Sequence, residues 1–390
     1  MFSKIISRFR GRCIVAVDLV RLLPGGENGG VKPAVFSFLE WMGRRERQRI
    51  TFIFVANEAT RDEVHRLVRP GDRIWCSHRT TADPDPDPGM GPDAVDTERL
   101  LGAGVDLLYN PFGPDRLGGG RIRFISLLID LLHREVPEAL PREEINHREQ
   151  FFADACARAT AIQVISDDVG DRLVAAYGLK RSRLFRTYLP LQQSDAPQLA
   201  AGGRAAGDGR FFIYPANFWP HKNHLRLLEA FRLFLDAVPE RSDVWSLVLT
   251  GAGRTAGDDV DCAIQEQGLA GRVIRAGYLE RADYLATIRS SAGLIYPSLN
   301  EGFGIPILEA QQAGVPVACS NLSSLPEVAG AGALFFDPGN PRDIANAMNA
   351  IAETGPVANR VRELGYENLS RFDFETEAGR FSDRLISVAR

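Results

Sequence analysis

Short apolar runs separated by longer amphipathic stretches recur along the whole chain. Residues 13–18 (CIVAVD), 50–55 (ITFIFV), 106–112, 123–130 and 162–166 read as buried strands, because their apolar positions are continuous rather than alternating. A shorter strand is expected near 72–76. Residues 33–45, 143–161 and 168–177 instead space their apolar side chains as helices with one buried face. Strand and helix alternate, which predicts a parallel sheet built from βα units as far as about residue 191. The alternation resumes with strands at 211–214, 245–250, 273–278, 294–296, 315–319 and 334–338. Helices are expected over 225–237, 341–353, 357–369 and 374–389. Between the two series, residues 194–209 are small, polar and flexible, the composition of a linker.

Composition supports that division. A length of 390 residues suits two domains with a core each, and 45% apolar with 25% charged residues is that of a soluble globular chain. The net charge of −4 argues against bulk nucleic-acid binding. Five scattered cysteines without a CxxC pair point to reduced thiols in a cytoplasmic protein. No apolar run approaches the roughly 18 residues that span a bilayer. Residues 1–12 carry Phe2, Ile5, Ile6 and Phe9 at helical spacing among Lys4, Arg8, Arg10 and Arg12. That pattern fits an interfacial helix on anionic lipid or a lead-in segment docked on its own domain, and it lacks the cleavage site of a signal peptide.

The candidate chemistry concentrates in residues 297–314 (PSLNEGFGIPILEAQQAG). Gly302 and Gly304 make a tight loop after a short strand, Pro306 suits a first helical position, and Gly314 suits the helix end. Such a loop turns free amides and a positive helix end toward a crevice, which favours phosphate. Glu301 and Glu309 flank it, and carboxylates there make sense as acceptors of sugar and ribose hydroxyls. Lys222, at a helix entrance after a strand, is either a phosphate counter-charge or a solvated lysine. A glycine pair, Gly29 and Gly30, follows the first strand and permits close backbone approach or a plain turn. Asp130 and His133 lie where a parallel strand delivers residues to its carboxyl end. Residues 251–257 (GAGRTAG) resemble a dinucleotide loop, with the third glycine one position late. The Asp-Pro run at 83–88 is extended by its prolines, which splay the carboxylates, so no metal site is expected.

These motifs stand in the order that resembles the GT-B glycosyltransferases of family 4, the retaining type marked by Glu-x7-Glu. The resemblance rests on Glu301 to Glu309, on 313–317 (AGVPV), on 325–328 (LPEV) and on 221–224 (HKNH). Weaker matches are Gly29 with Gly30, 110–112 (NPF), 130–133 (DLLH) and 164–166 (VIS). It implies an α/β chain of two Rossmann-like parallel-sheet domains facing across a cleft. The expected boundaries are 1–193 for an acceptor-side domain, 194–209 for the linker and 210–370 for a nucleotide-sugar domain. Residues 371–390 would carry a terminal helix back to the first domain.

The resemblance implies retaining, metal-independent transfer of a hexose, in the manner of mannosyltransferases, from a GDP- or UDP-linked sugar. No other cofactor is implied. The acceptor would be a glycan or lipid-linked sugar in bacterial surface polysaccharide synthesis, with possible contact to the inner face of the membrane. Lys222 would neutralise the diphosphate, Glu301 would meet the donor sugar and Glu309 the ribose. Gly302, Phe303, Gly304 and Ile305 would lie near sugar and diphosphate, and Gly277, Tyr278 and Leu279 near the base. Asn217, Gly29 and Gly30 belong to the same binding set, while Asp130 and His133 would assist catalysis. Two positions depart from the family: 216–219 (ANFW) lacks its second phosphate cation, leaving Arg254 as a candidate, and Ile129 stands where a histidine often precedes Asp130. The rival readings are a phosphorylase-like relative, an NAD-linked dehydrogenase and a non-catalytic sugar-nucleotide sensor.

Overall fold

The computed structural model describes residues 11–25, 30–77, 95–191, 210–237, 244–253, 255–352 and 355–390. Its chain forms two compact units. One comprises Met1–Ile129, Asn146–Pro190 and Phe374–Arg390, the other Asp130–Ile145 and Leu191–Asp373.

The first unit is a parallel sheet of seven strands in the order β3-β2-β1-β4-β5-β6-β7. The strands are β1 Cys13–Leu19, β2 Ile50–Asn57, β3 Arg73–Ser77, β4 Leu107–Asn110, β5 Phe124–Leu128, β6 Ala161–Val164 and β7 Leu184–Arg186. β4, β5 and β6 are buried along their whole length, the burial that continuous apolar runs predict for a sheet covered on both faces. The strand order reverses between β1 and β4, which opens a crevice beyond their carboxyl ends.

The helix Phe374–Ala389 belongs to this unit because it completes its core. Phe381 lies 5.6 Å from the ring of Phe38 and 5.3 Å from that of Tyr109. Buried Glu377 accepts the amide of Tyr188 at 3.0 Å, and Trp41 donates its indole N–H to Glu375 at 2.7 Å.

The second unit is a parallel sheet of six strands in the order β10-β9-β8-β11-β12-β13. These are β8 Phe211–Pro215, β9 Ser246–Thr250, β10 Val273–Gly277, β11 Gly293–Tyr296, β12 Val317–Ser320 and β13 Leu334–Phe336. Here the order reverses between β8 and β11. Phe212 packs on Trp245 and Phe234 at ring distances of 4.8 and 5.1 Å to centre the core. Gly251 has φ +139°, and a Cβ there would sit 2.4 Å from the carbonyl oxygen of Ala216. The ends of β8 and β9 can approach only over a glycine, which accounts for the first glycine of 251–257 without a cofactor.

The apolar run 123–130 overstates its strand. β5 stops at Leu128, and Asp130 Oδ1 accepts the amide of Leu132 at 3.0 Å, turning the chain into the short helix Leu132–Glu135. Residues 130–145 then group with the second unit, where the sequence reading set them with the first. All five cysteines are free. No helix among the described residues is long and apolar enough to cross a membrane. The first ten residues, Gly29, the Asp-Pro run 83–88, the linker 194–209 and Arg254 lie outside the described residues.

Candidate functional site

At the switch point of the second sheet the chain leaves β8 through a single turn, Pro220–Lys222, and enters the helix His224–Ala237. Asn223 between them takes a left-handed conformation, φ +61°. Its side-chain amide donates to the carbonyls of Pro297 at 3.0 Å and Pro338 at 2.8 Å, tying the turn to the loops after β11 and β13. Tyr214 donates its hydroxyl to the Lys222 carbonyl at 2.8 Å, and Leu299 donates its amide to that of His221 at 2.8 Å. The backbone of Lys222 is thus fixed from several directions before its side chain does anything.

That side chain donates to Glu301 Oε1 at 2.5 Å, with 15% of the lysine and 11% of the glutamate side chain exposed. Glu301 is itself held by its main chain: its amide donates to Ser323 Oγ at 3.1 Å. Ser324 Oγ lies 3.1 Å from the Glu301 carbonyl and 3.0 Å from that of Phe303. Gly304, at φ +107°, then starts the helix Ile305–Gln312 with Pro306 in its first turn. A Cβ at Gly304 would come 2.8 Å from Leu325 Cδ2, so the tight turn is a glycine's.

Glu309 faces inward from that helix and is 5% exposed. One carboxylate oxygen is paired with Arg281, and the other accepts the Tyr284 hydroxyl at 2.5 Å. Burial, then the charge of Glu309, raises the Tyr284 pKa, so the phenol stays a donor at neutral pH. Tyr296 is likewise raised, by burial first and by Glu301 second. Beside Lys222, His224 is buried between the rings of Tyr214 and Phe218, at 4.9 and 4.5 Å. Burial, and then the positive charge of Lys222, push its pKa down to about 3. The imidazole is neutral at physiological pH and adds no cation there.

The other sequence candidates fall into place with different weight. Gly277 closes β10 at φ +68°, and its carbonyl accepts the amide of Gly251 at 2.8 Å. Next to it Tyr278 is 71% exposed, while Leu279 is half-buried. Asn217 spends its side-chain oxygen on the amide of Ala252 at 2.8 Å. Phe303 is buried against Phe372, 5.9 Å between rings. His133 is buried in the turn after Asp130. Glu135 of the same turn accepts a hydrogen bond from Asn300, the residue before Glu301, so this segment reaches the Glu301 loop. In the first unit Gly30 leads into the helix Val31–Arg45. Behind it buried Lys32 pairs with Glu63 and donates to the carbonyls of Leu23 at 2.8 Å and Gly25 at 2.9 Å. Among the described residues no group of three or more His, Cys, Asp or Glu could hold a metal ion.

The structure therefore brings Lys222 and Glu301 into contact and gives Glu309 partners that sequence reasoning missed. The available signal was the spacing of Arg281 and Tyr284, one turn apart at the start of a helix that follows a strand's carboxyl end. Nothing in the sequence points to Glu135 and Asn300.

Two parallel α/β units, each with a crevice at a reversal of strand order, define a double Rossmann-like protein. Solved structures share this fold over nearly the whole chain. One is Anabaena Alr3699/HepE in complex with UDP and glucose, with a TM-score of 0.69, 18% identity, and coverage of 95% of this chain and 98% of that one. Another is WaaG, a glycosyltransferase involved in lipopolysaccharide biosynthesis, with a TM-score of 0.68, 12% identity, and coverage of 95% and 99%. The architecture is that of the GT-B glycosyltransferases. Residues 197–368 match the family model of glycosyl transferases group 1. The chain is similar to the O-antigen chain mannosyltransferase B of Escherichia coli, 30% identical over 55% of this chain and 58% of that relative. It is also 24% identical to the O-antigen chain mannosyltransferase RfbU of Salmonella typhimurium, over 56% and 57%. The chain spans little more than half the length of these curated relatives.

Proposed function

We propose that this chain is a retaining glycosyltransferase moving a hexose, in the first instance mannose, from a nucleotide-diphosphate sugar to a glycan or lipid-linked acceptor in bacterial surface polysaccharide synthesis. The observation that carries this reading is the Lys222–Glu301 pair, fixed beside the glycine loop that starts the helix of Glu309, inside the stretch that matches the family. The relatives' names, O-antigen mannosyltransferases, support the sugar and the process.

Breaking the donor bond builds negative charge on the diphosphate and positive charge on the sugar. An ammonium carries three donors, and Lys222 spends one on Glu301, so two remain for the leaving group. A cation already oriented there stabilises the developing charge without reorganising, often the largest catalytic contribution. Glu301 stabilises the sugar's oxocarbenium character and accepts from its hydroxyls. Glu309 has accepting capacity beyond Arg281 and Tyr284, and takes the ribose diol. The amides of residues 302–305 line sugar and diphosphate, residues 277–279 frame the base, Asn217 belongs to the same binding set, and Asp130 and His133 assist through the turn bonded to Asn300. Gly29 and Gly30 belong to the same proposed binding set. The enzyme works in the cytoplasm, without metal, and contacts anionic membrane through residues 1–12.

Calorimetry with GDP, UDP, ADP and NAD, joined to a nucleotide-sugar hydrolysis assay, tests the class. Tight binding of NAD with no binding of any nucleoside diphosphate would remove the reading. Proton NMR of the product's anomeric centre tests retention, and turnover after dialysis against EDTA tests independence from metal.

A further inference from the structure

The short helix Leu325–Ala329, just after β12, takes no part in the chemistry above, yet the loop of Glu301 hangs from one of its ends. Ser324 at its N-terminus is fully buried and shares its one hydroxyl proton between the carbonyls of Glu301 and Phe303, at 3.1 and 3.0 Å. Ser323 Oγ accepts the Glu301 amide at 3.1 Å. The other end is held as closely. Five residues are too few for a helix to be stable alone, and its last carbonyls lack partners within the helix. Side chains supply them. Arg371 donates to the carbonyl of Glu327 at 3.0 Å, Asn368 to that of Val328 at 2.8 Å and Gln311 to that of Ala329 at 2.9 Å. Gln311 gives its second N–H to the Gly332 carbonyl at 3.1 Å, and its oxygen accepts the Asn368 amide at 2.9 Å. Both amides are buried, and Gly332 makes room for them: a Cβ there would come 2.6 Å from Gln311 Nε2.

Gln311 stands two residues beyond Glu309 on the helix Ile305–Gln312. Two residues turn a helix by about 200°, so the acid meets Arg281 and Tyr284 on one flank while the amide meets the short helix on the other. The connections close a ring. It runs from the Glu301 loop through Ser324 and the short helix to Gln311, then back past Glu309 to Gly304 and the same loop. We infer that the helix Leu325–Ala329 is a brace that sets the separation of Glu301 and Glu309, with Ser324, Gln311 and Asn368 as positioning residues. On the transfer reading above, which its use rests on, the two acids hold the sugar and the ribose of one donor. The brace is then a gauge for the length of a nucleotide sugar.

Two measurements on the full chain test this, in Gln311→Met and in the milder Asn368→Ala, with circular dichroism to check folding. Should the first variant not fold, the second decides alone. Hydrogen exchange without ligand reads the brace itself. Both side chains spend their hydrogen bonds on residues 328–332, on Arg371 and on each other, so exchange should quicken there. The brace adds that it also quickens at 300–304, beyond the far end of the short helix. Calorimetry with GDP-mannose, UDP-glucose and ADP-glucose reads its use. Whichever the parent binds should weaken by about tenfold in the variants, the scale for a charged group that loses a hydrogen bond. The matching nucleoside diphosphate engages only one of the two acids and should weaken by less than about threefold. A merely structural role would weaken both alike. Exchange that stays confined to 325–332, or equal weakening of nucleotide sugar and nucleoside diphosphate, would overturn the inference. If the parent binds no nucleotide while exchange at 300–304 still rises in the variants, the brace stands and the transfer reading falls.

Discussion

Replacing Lys222 with alanine should do two separable things. The ammonium is 2.5 Å from Glu301 Oε1, with only 15% and 11% of the two side chains exposed, so truncation strands a mostly buried carboxylate. Breaking a buried pair from one side costs about 3–5 kcal/mol, and the residual exposure favours the lower figure. For a unit of this size, about 3 kcal/mol lowers the melting temperature by roughly 6–12 °C. Turnover at saturating donor should fall by about 10²–10³, the scale for losing one preorganised charge partner. The double variant Lys222→Met with Glu301→Gln separates the effects. With both charges gone, stability should return to within about 1 kcal/mol of the parent, while donor hydrolysis stays low. Melts followed by circular dichroism and hydrolysis measured below the melting range read the two quantities independently. Turnover of Lys222→Ala within threefold of the parent would refute the catalytic reasoning, and an unchanged melt would refute the energetic one.

Arg281→Ala leaves Glu309 one partner short at the proposed ribose site. Losing a hydrogen bond to a charged group is worth about 1.5–3 kcal/mol, so the donor KM should rise by roughly 10–100-fold with a smaller change in kcat; an unchanged KM would exclude Arg281 from positioning Glu309. His224 supplies a pH dependence. Its native pKa of about 3 lies below the usual 6.5, so only the unfolded chain takes up a proton between those values. Its contribution to stability is full above pH 6.5 and is lost as pH falls, by about 2 kcal/mol at pH 5. In denaturant melts at pH 7 and pH 5, His224→Phe should flatten that part of the slope, and an unaltered slope would show that another group carries it. Deleting residues 2–11 should weaken binding to anionic liposomes and leave donor hydrolysis intact; equal liposome binding would dispose of the membrane contact.

Much of the fold was legible because buried parallel strands leave uninterrupted apolar runs, and each sheet followed from them. The glycine loop was legible too, since Gly304 and Pro306 announce a strained turn and a helix start within three residues. What escaped was contact between polar groups far apart in sequence. Glu309 looked like an open acceptor, because no periodicity says that Arg281 and Tyr284 turn toward it from another helix. The run 123–130 read as one strand because its apolar character continues past Leu128, and only the bond from the Leu132 amide to Asp130 ends it.

The placement of Phe381 against Phe38 and Tyr109 has a consequence for synthesis. Everything in the second unit precedes residue 374 in the chain, so all of it is made before that helix. The first unit, although it leads the sequence, cannot close its core until the helix Phe374–Ala389 has emerged. A nascent chain therefore carries an open apolar surface on its earliest-made sheet until the helix Phe374–Ala389 is made, and a stop before that helix would damage the sheet made first.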